Sequence, residues 1–468
     1  MKKNNKGVTL IAMVLAVLIM IIIATVLVYN SQDMYKLRAI EDMYNDLRTL
    51  EARVEIYYSK YGALPVGAVF TDTSMLNETK NPNDSGDYYE LDLELIGNLT
   101  LYNGAKVNPN DVYVINEETH TIYYPNGVTF EGETYYRLPG EYSVINLGPT
   151  LEQKMVDAGI TGDPESLSDV VDGVPIPEGF KVSEEPGENT KNGGLVIIDD
   201  FTGSEFVWVP VKDLEEDGYR DETNNAVKFG RRKFGTTQNL GGTAPEASKY
   251  TENLPIDLTT SVEQYGGFYI ARYEASYEDE KVVSKPSTIV ETANVAKANG
   301  RLWNFISQVD AKAACTAMYG EGAKVVSHLP YGAEWDSTLQ WFKQTEFSGE
   351  ANPNTPIGSD STSWGNYYNA SFTYGEGLSK TASISKLINT GEITLPQNRH
   401  MVNNIYDIAG NLWEWTQEKY GTGADRAIRG GIFSNSGYSD PAAHRGYNSE
   451  TYSSSFGSHG FRPLLYIK

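Results

Sequence analysis

Residues 404–415 read NIYDIAGNLWEW, and Arg429-Gly430-Gly431 and Gly460-Phe461-Arg462 follow downstream. Glycines and tryptophans repeated in this way hold a loop-rich core together, so Trp413 and Trp415 read as core residues and not as a stacking platform for a ligand. Upstream, Leu329–Trp335 (LPYGAEW) leads into a stretch that is amphipathic at helical spacing as far as Phe342, and Trp335 also reads as core. Val309–Gly320 (VDAKAACTAMYG) is a second amphipathic stretch. Gly266–Glu274 (GGFYIARYE), Glu205–Val211 and Gly194–Asp199 are strand-like runs separated by long polar loops, a texture that begins at about residue 176.

In this order the pieces resemble the formylglycine-generating, or sulfatase-modifying factor, family, and the resemblance covers residues 176–468. It implies a variant of the C-type lectin fold with little regular secondary structure. The family's oxidase chemistry uses two copper-binding cysteines shortly after the RGG-like motif. Counting onward from Arg429-Gly430-Gly431, the matching positions are Asn435 and Asp440, and neither supplies the thiolate that soft copper(I) requires. Cys315, the one cysteine, falls in an amphipathic helix and reads as a buried structural residue. Relatives that make sulfur-containing histidine betaines bind iron through histidines of an added helical domain. That domain has no counterpart here, and His120, His328, His400, His444 and His459 are scattered without metal-ligand spacing. Neither copper nor iron is therefore expected, and no serine elbow, phosphate loop or HExxH motif is found. Calcium is the expected ion. The family loop that matches NIYDIAGNLWEW implies ligation by the side chains of Asp407 and Glu414 and the carbonyls of Gly410 and Leu412. A second family calcium site has no clear match around Asn369.

Between the RGG and GFR motifs, Phe433–His459 reads FSNSGYSDPAAHRGYNSETYSSSFGSH. Serine, tyrosine, glycine and asparagine dominate it, the mixture found in antibody paratopes. Family-like heads place their substrate groove here, and variable proteins of diversity-generating retroelements, which share the lectin-like fold, use the same place. The expected ligand contacts are Asn435, Tyr438, Asp440, His444, Tyr447, Asn448 and Tyr452, whereas Arg445 and Arg462 are expected to hold the core.

The other end of the chain carries a different signal. Residues 8–29 contain no charge, are long enough to span a bilayer as a helix, and follow Lys2, Lys3 and Lys6. Lys6-Gly7-Val8-Thr9-Leu10-Ile11 resembles the cleavage motif of type IV pilins and type II secretion pseudopilins. That resemblance implies a cut between Gly7 and Val8 and a methylated new N-terminus. Ala12 stands where pilins usually carry a glutamate that helps subunits join the filament. Apolar residues then recur along 33–61 at mostly helical spacing, with Gly62 as a C-cap and Pro65 as a stop. The expected organisation is a leader at 1–7, a pilin-like helix at 8–65, a small β region at 66–149, a linker with one short helix at 150–175, and the lectin-like head at 176–468. The fold class is α+β.

Composition narrows function. A formal net charge of −24 over 468 residues argues against nucleic acid as a partner. The 32 tyrosines suit binding faces and strands alike. The favoured expectation is a single-pass membrane protein, or a pilus-tip subunit, that displays a non-catalytic binding head to an external ligand, with the membrane and pilins or pseudopilins as partners. The alternatives are a cell-envelope enzyme working through carboxylates of the head, and a minor pilin that primes filament assembly.

Overall fold

Ile40, Met43, Leu47, Leu50 and Val54 recur every three or four residues, and residues 36–61 accordingly form one helix, α1, with this stripe buried. The structure, a computed structural model, describes residues 36–468 except 77–78, 98, 131, 140–148, 212–228, 233, 235–249, 291, 397 and 454–456. The chain divides into two compact units, Met1–Glu152 and Gln153–Lys468.

The expected single-pass membrane placement is corrected here. Among the described residues no helix is long and apolar enough to cross a membrane. The apolar run 8–29 and the cleavage pair Gly7 and Val8 lie outside the described residues.

In the first unit, α1 packs on an antiparallel sheet of β1 (Val66–Val69), β2 (Tyr88–Leu91), β3 (Val114–Asn116) and β4 (Ile122–Tyr123). Met43, Leu47, Leu50 and Val54 meet Leu91, Tyr113, Ile115 and Ile122, each buried side chain contributing about 1.5–3 kcal/mol. One polar residue of the helix is also buried: Asp46 accepts the Tyr113 hydroxyl at 2.6 Å and the Asn103 amide at 2.9 Å. Gly62, at φ 64°, ends the helix in the left-handed region.

The second unit is β-rich with mixed α/β composition. In chain order its main elements are β5 (Phe180–Val182), β6 (Val196–Asp199), β7 (Glu205–Pro210), β8 (Tyr250–Thr251), α2 (Ile256–Tyr265), β9 (Gly267–Ala271), α3 (Gln308–Thr316), β10 (Val325–His328), α4 (Gly332–Gln344), β11 (Trp413–Tyr420), β12 (Asp425–Arg429), β13 (Gly446–Ser449), β14 (His459–Gly460) and β15 (Leu464–Ile467). The stretch 150–175 holds the helix Leu151–Ala158 and, in addition, the first strand of a hairpin that pairs Leu167–Val171 with Val174–Pro177.

A six-stranded sheet runs β10-β15-β9-β7-β6-β5. Its strand β7 reads EFVWVP, apolar at successive positions because both faces are covered. On one face Val207 and Val209 share a core with Leu258 and Val262 of α2 and Trp335, Leu339 and Phe342 of α4. On the other, Trp208 meets Tyr269, and Phe206 meets Phe180 and Tyr319. A second sheet runs β8-β11-β12-β13, with β14 added parallel to β11. This second sheet carries the candidate site.

Candidate binding site

Strand β12 ends in Arg429, whose guanidinium is wholly buried. It donates to Asp336 of α4 at 2.5 Å and to Glu418 of β11 at 3.4 Å. Arg445, at the far end of the following loop, bonds the same two carboxylates. Burial opposes charge on Asp336, but Arg445 and Arg429 beside it hold its carboxyl below the usual carboxylate range. The loop 430–445 is thus fastened at both ends to one buried ion cluster.

Gly430 and Gly431 start the loop with φ 89° and 84°. A Cβ on Gly431 would lie 2.2 Å from the Asp440 carbonyl oxygen, so the close approach requires glycine. The loop then lies against residues 357–369. Gly437 receives the Ser361 amide at 3.1 Å and donates its own to Asn369 at 3.0 Å. Tyr368 donates to the Asn435 carbonyl at 2.8 Å, and Trp335 donates to the Ala442 carbonyl at 3.1 Å.

On this frame Asn435, Asp440 and His444 come together. The Asn435 carboxamide donates to Asp440, whose other oxygen is 3.7 Å from His444 Nδ1. The imidazole packs at 5.2 Å from Trp413, and burial lowers its pKa, opposed by Asp440. Tyr438 of the same loop is 58 % exposed. Tyr447, in β13, is half exposed and stacks on Tyr420 with ring centroids 3.6 Å apart and planes 12° apart. Asn448 pairs with Arg426 across the sheet, and strand alternation turns it to the face opposite Tyr447. Tyr452 stands edge-on to His459 at 5.3 Å. The expected contact set therefore divides into an amide–carboxylate–imidazole group, three exposed tyrosines and one asparagine on the other side of the sheet. Tyr420, which backs Tyr447, was not among the expected contacts. The alternation of WEWTQEKY, with buried Trp413 and Trp415 at its start, is the signal that could have pointed to the strand end.

The residues present do not fit copper. Asn435 and Asp440, the positions expected to match the copper-binding cysteines, offer a carboxamide and a carboxylate, neither of them a ligand suited to copper(I). Cys315 is buried in α3, where burial pushes its thiol up. The calcium loop brings Asp407 and Glu414 into one buried cluster, but the cation facing Glu414 belongs to the protein. Arg462 donates to both its oxygens, at 2.6 and 2.7 Å. Glu274 joins the cluster, taking the Leu412 amide at 3.1 Å and the Asn411 carboxamide at 2.6 Å. Burial raises the Glu274 pKa well above its ordinary value, and Asp407 and Glu414 add to the shift. Among the described residues no three His, Cys, Asp or Glu side chains are placed to hold a metal ion. The loop as built does not fit a calcium ligated through Glu414.

The sulfatase-modifying factor enzyme 1-like (FGE-sulfatase) domain matches residues 226–465, just over half of the chain, and the chain belongs to this family. Among solved structures, the chain is similar to PvdO from Pseudomonas aeruginosa at 14 % identity and TM-score 0.30, covering 61 % of this chain and all of that one. It is similar to CarF at 16 % identity and TM-score 0.28, covering 56 % of this chain and all of that one. It is also similar to Treponema denticola variable protein 1 at 14 % identity and TM-score 0.23, covering 62 % and 99 %. No curated protein matches the chain.

Proposed function

We propose that this chain is a non-catalytic member of its family, a binding protein whose ligand docks on the exposed tyrosines of the 433–459 segment. The observation that carries the reading is the hydrogen-bonded Asn435–Asp440 pair at the positions where the family's chemistry needs two thiols. The remaining cysteine is buried elsewhere, so no thiolate is at hand to replace them. The buried carboxylates Asp336, Glu418 and Glu414 are bonded to Arg429, Arg445 and Arg462, which speaks against their use as general acids or bases. Tyr438, Tyr447 and Tyr452 offer rigid, amphipathic contact area.

Two measurements test this. The purified full chain, given copper and a cysteine-containing sulfatase peptide, is expected to leave the cysteine unmodified by mass spectrometry; conversion to formylglycine would overturn the reading. On glycan and protein arrays the chain is expected to bind. A folded Tyr438→Ala/Tyr447→Ala/Tyr452→Ala variant is expected to lose about tenfold or more in affinity. Undiminished binding by that variant would place the face elsewhere.

A further inference from the structure

The second sheet has a cavity on the side away from the Tyr420–Tyr447 stack. Strand pairing sets Thr251, Lys419, Arg426 and Asn448 in one cross-strand row, and alternation puts that row on the face opposite the tyrosines. Thr251, Lys419 and Arg426 line an open cavity of about 370 Å³, bordered by the first turns of α3 and by Tyr331. This volume falls in the range of about 300–1,000 Å³ usual for small-molecule sites.

The lining is built, not incidental. Gln308 is 3 % exposed, and its carboxamide is fixed by a 3.0 Å bond to the Thr416 carbonyl. Gln417 is fixed in the same way by a 2.8 Å bond to the Leu329 carbonyl. Glu252 is held by the Gly332 and Ala333 amides at the N-terminus of α4, at 2.6 and 3.0 Å, with Arg231 at 3.8 Å. Arg426 is paired with Glu450. Lys312 and Lys419 are exposed and, among the described residues, have neither an ion-pair nor a hydrogen-bond partner. In a chain of net charge −24, two uncompensated ammonium groups on one cavity are a local reversal of sign.

We propose that this cavity binds a carboxylated monosaccharide, a hexuronate, with Lys312 and Lys419 facing its carboxylate and the Gln308 and Gln417 carboxamides facing its hydroxyls. A bare phosphate would leave the fixed amides unused, and a neutral sugar would leave the lysines unused. A nucleotide base would need an aromatic platform larger than the single tyrosine, Tyr331, that lines the cavity.

The test is calorimetric titration of the full chain with glucuronate, glucose and inorganic phosphate. Glucuronate is expected to bind saturably and more weakly as salt rises, with glucose and phosphate each at least about tenfold weaker. The Lys312→Glu/Lys419→Glu variant changes two exposed side chains, so it is expected to keep its melting temperature and to lose glucuronate binding about tenfold or more. The Tyr438→Ala/Tyr447→Ala/Tyr452→Ala variant is expected to keep it, which separates this cavity from the tyrosine face. No binding of glucuronate, equal binding of glucose or phosphate, or undiminished binding by the lysine variant would each overturn the assignment.

Discussion

Asp407 and Glu252 are buried carboxyl groups whose environments favour the neutral form. Burial pushes Asp407 up to about 7, with Glu414 adding to it while Thr390 and Arg462 act the other way. Burial pushes Glu252 up to about 8, and Glu418 adds to the shift. Both lie above their unfolded values of about 4, so the folded chain retains protons that the unfolded chain has released. That contribution to stability is complete below about pH 4 and is lost as pH rises through 7 and 8. Histidines act oppositely at lower pH. Burial lowers His459 to about 4 and also lowers His400, so their contribution is lost as pH falls below about 6.5. Between pH 6.5 and 8 the carboxyls dominate, and stability is expected to fall by on the order of 2 kcal/mol. Thermal melts at the two pH values measure this, and Asp407→Asn should shrink the difference. A melting temperature that stays level or rises across the window would contradict the account.

At the scale of elements, the strands and helices that periodicity marks out were legible. Val196–Asp199, Glu205–Pro210 and Gly267–Ala271 are strands, and Gln308–Thr316 and Gly332–Gln344 are helices. What the pattern misjudged is the polar side of α4. Its Glu334, Asp336 and Gln340 look like a wet face in sequence, yet all three are buried. Glu334 meets His328 at 2.8 Å, and Asp336 meets Arg429 and Arg445, partners that arrive from far along the chain. Local spacing cannot display such pairings, because a charge destined for a buried ion pair looks the same as one destined for water. The loop after β12 was legible at its glycines. Gly431→Ala would place a Cβ 2.2 Å from the Asp440 carbonyl in a left-handed residue. It is expected to destabilise the chain by about 1–3 kcal/mol and to weaken ligand binding by displacing Asn435 and Asp440. Denaturant unfolding checks the first part; a variant of unchanged stability would show that the loop yields without cost.

For the whole molecule, the head was readable from the order of its motifs, since five short pieces in sequence specify a topology that none specifies alone. The loop expected to hold calcium was readable as a loop, while the ion pair at its Glu414 was not. The motif supplies Asp407 and Glu414, while the guanidinium of Arg462, forty-eight residues beyond Glu414, faces Glu414 with a positive charge. The full chain is therefore expected to melt at the same temperature in millimolar calcium and in excess chelator, by differential scanning calorimetry. A rise of several degrees with calcium would reinstate the ion. Placement at a membrane was read from residues 8–29, and no described helix supports it. The fastening of the 430–445 loop has one more consequence. Arg429 and Arg445 clamp its two ends to Asp336 and Glu418, while Asn435 and Tyr438 between them are exposed. The anchors hold the loop at its ends, so a change in an exposed side chain such as Tyr438 leaves the buried ion cluster in place. On the proposed reading such a head is evolvable: its exposed letters can be rewritten, and its target changed, while the scaffold beneath stays the same.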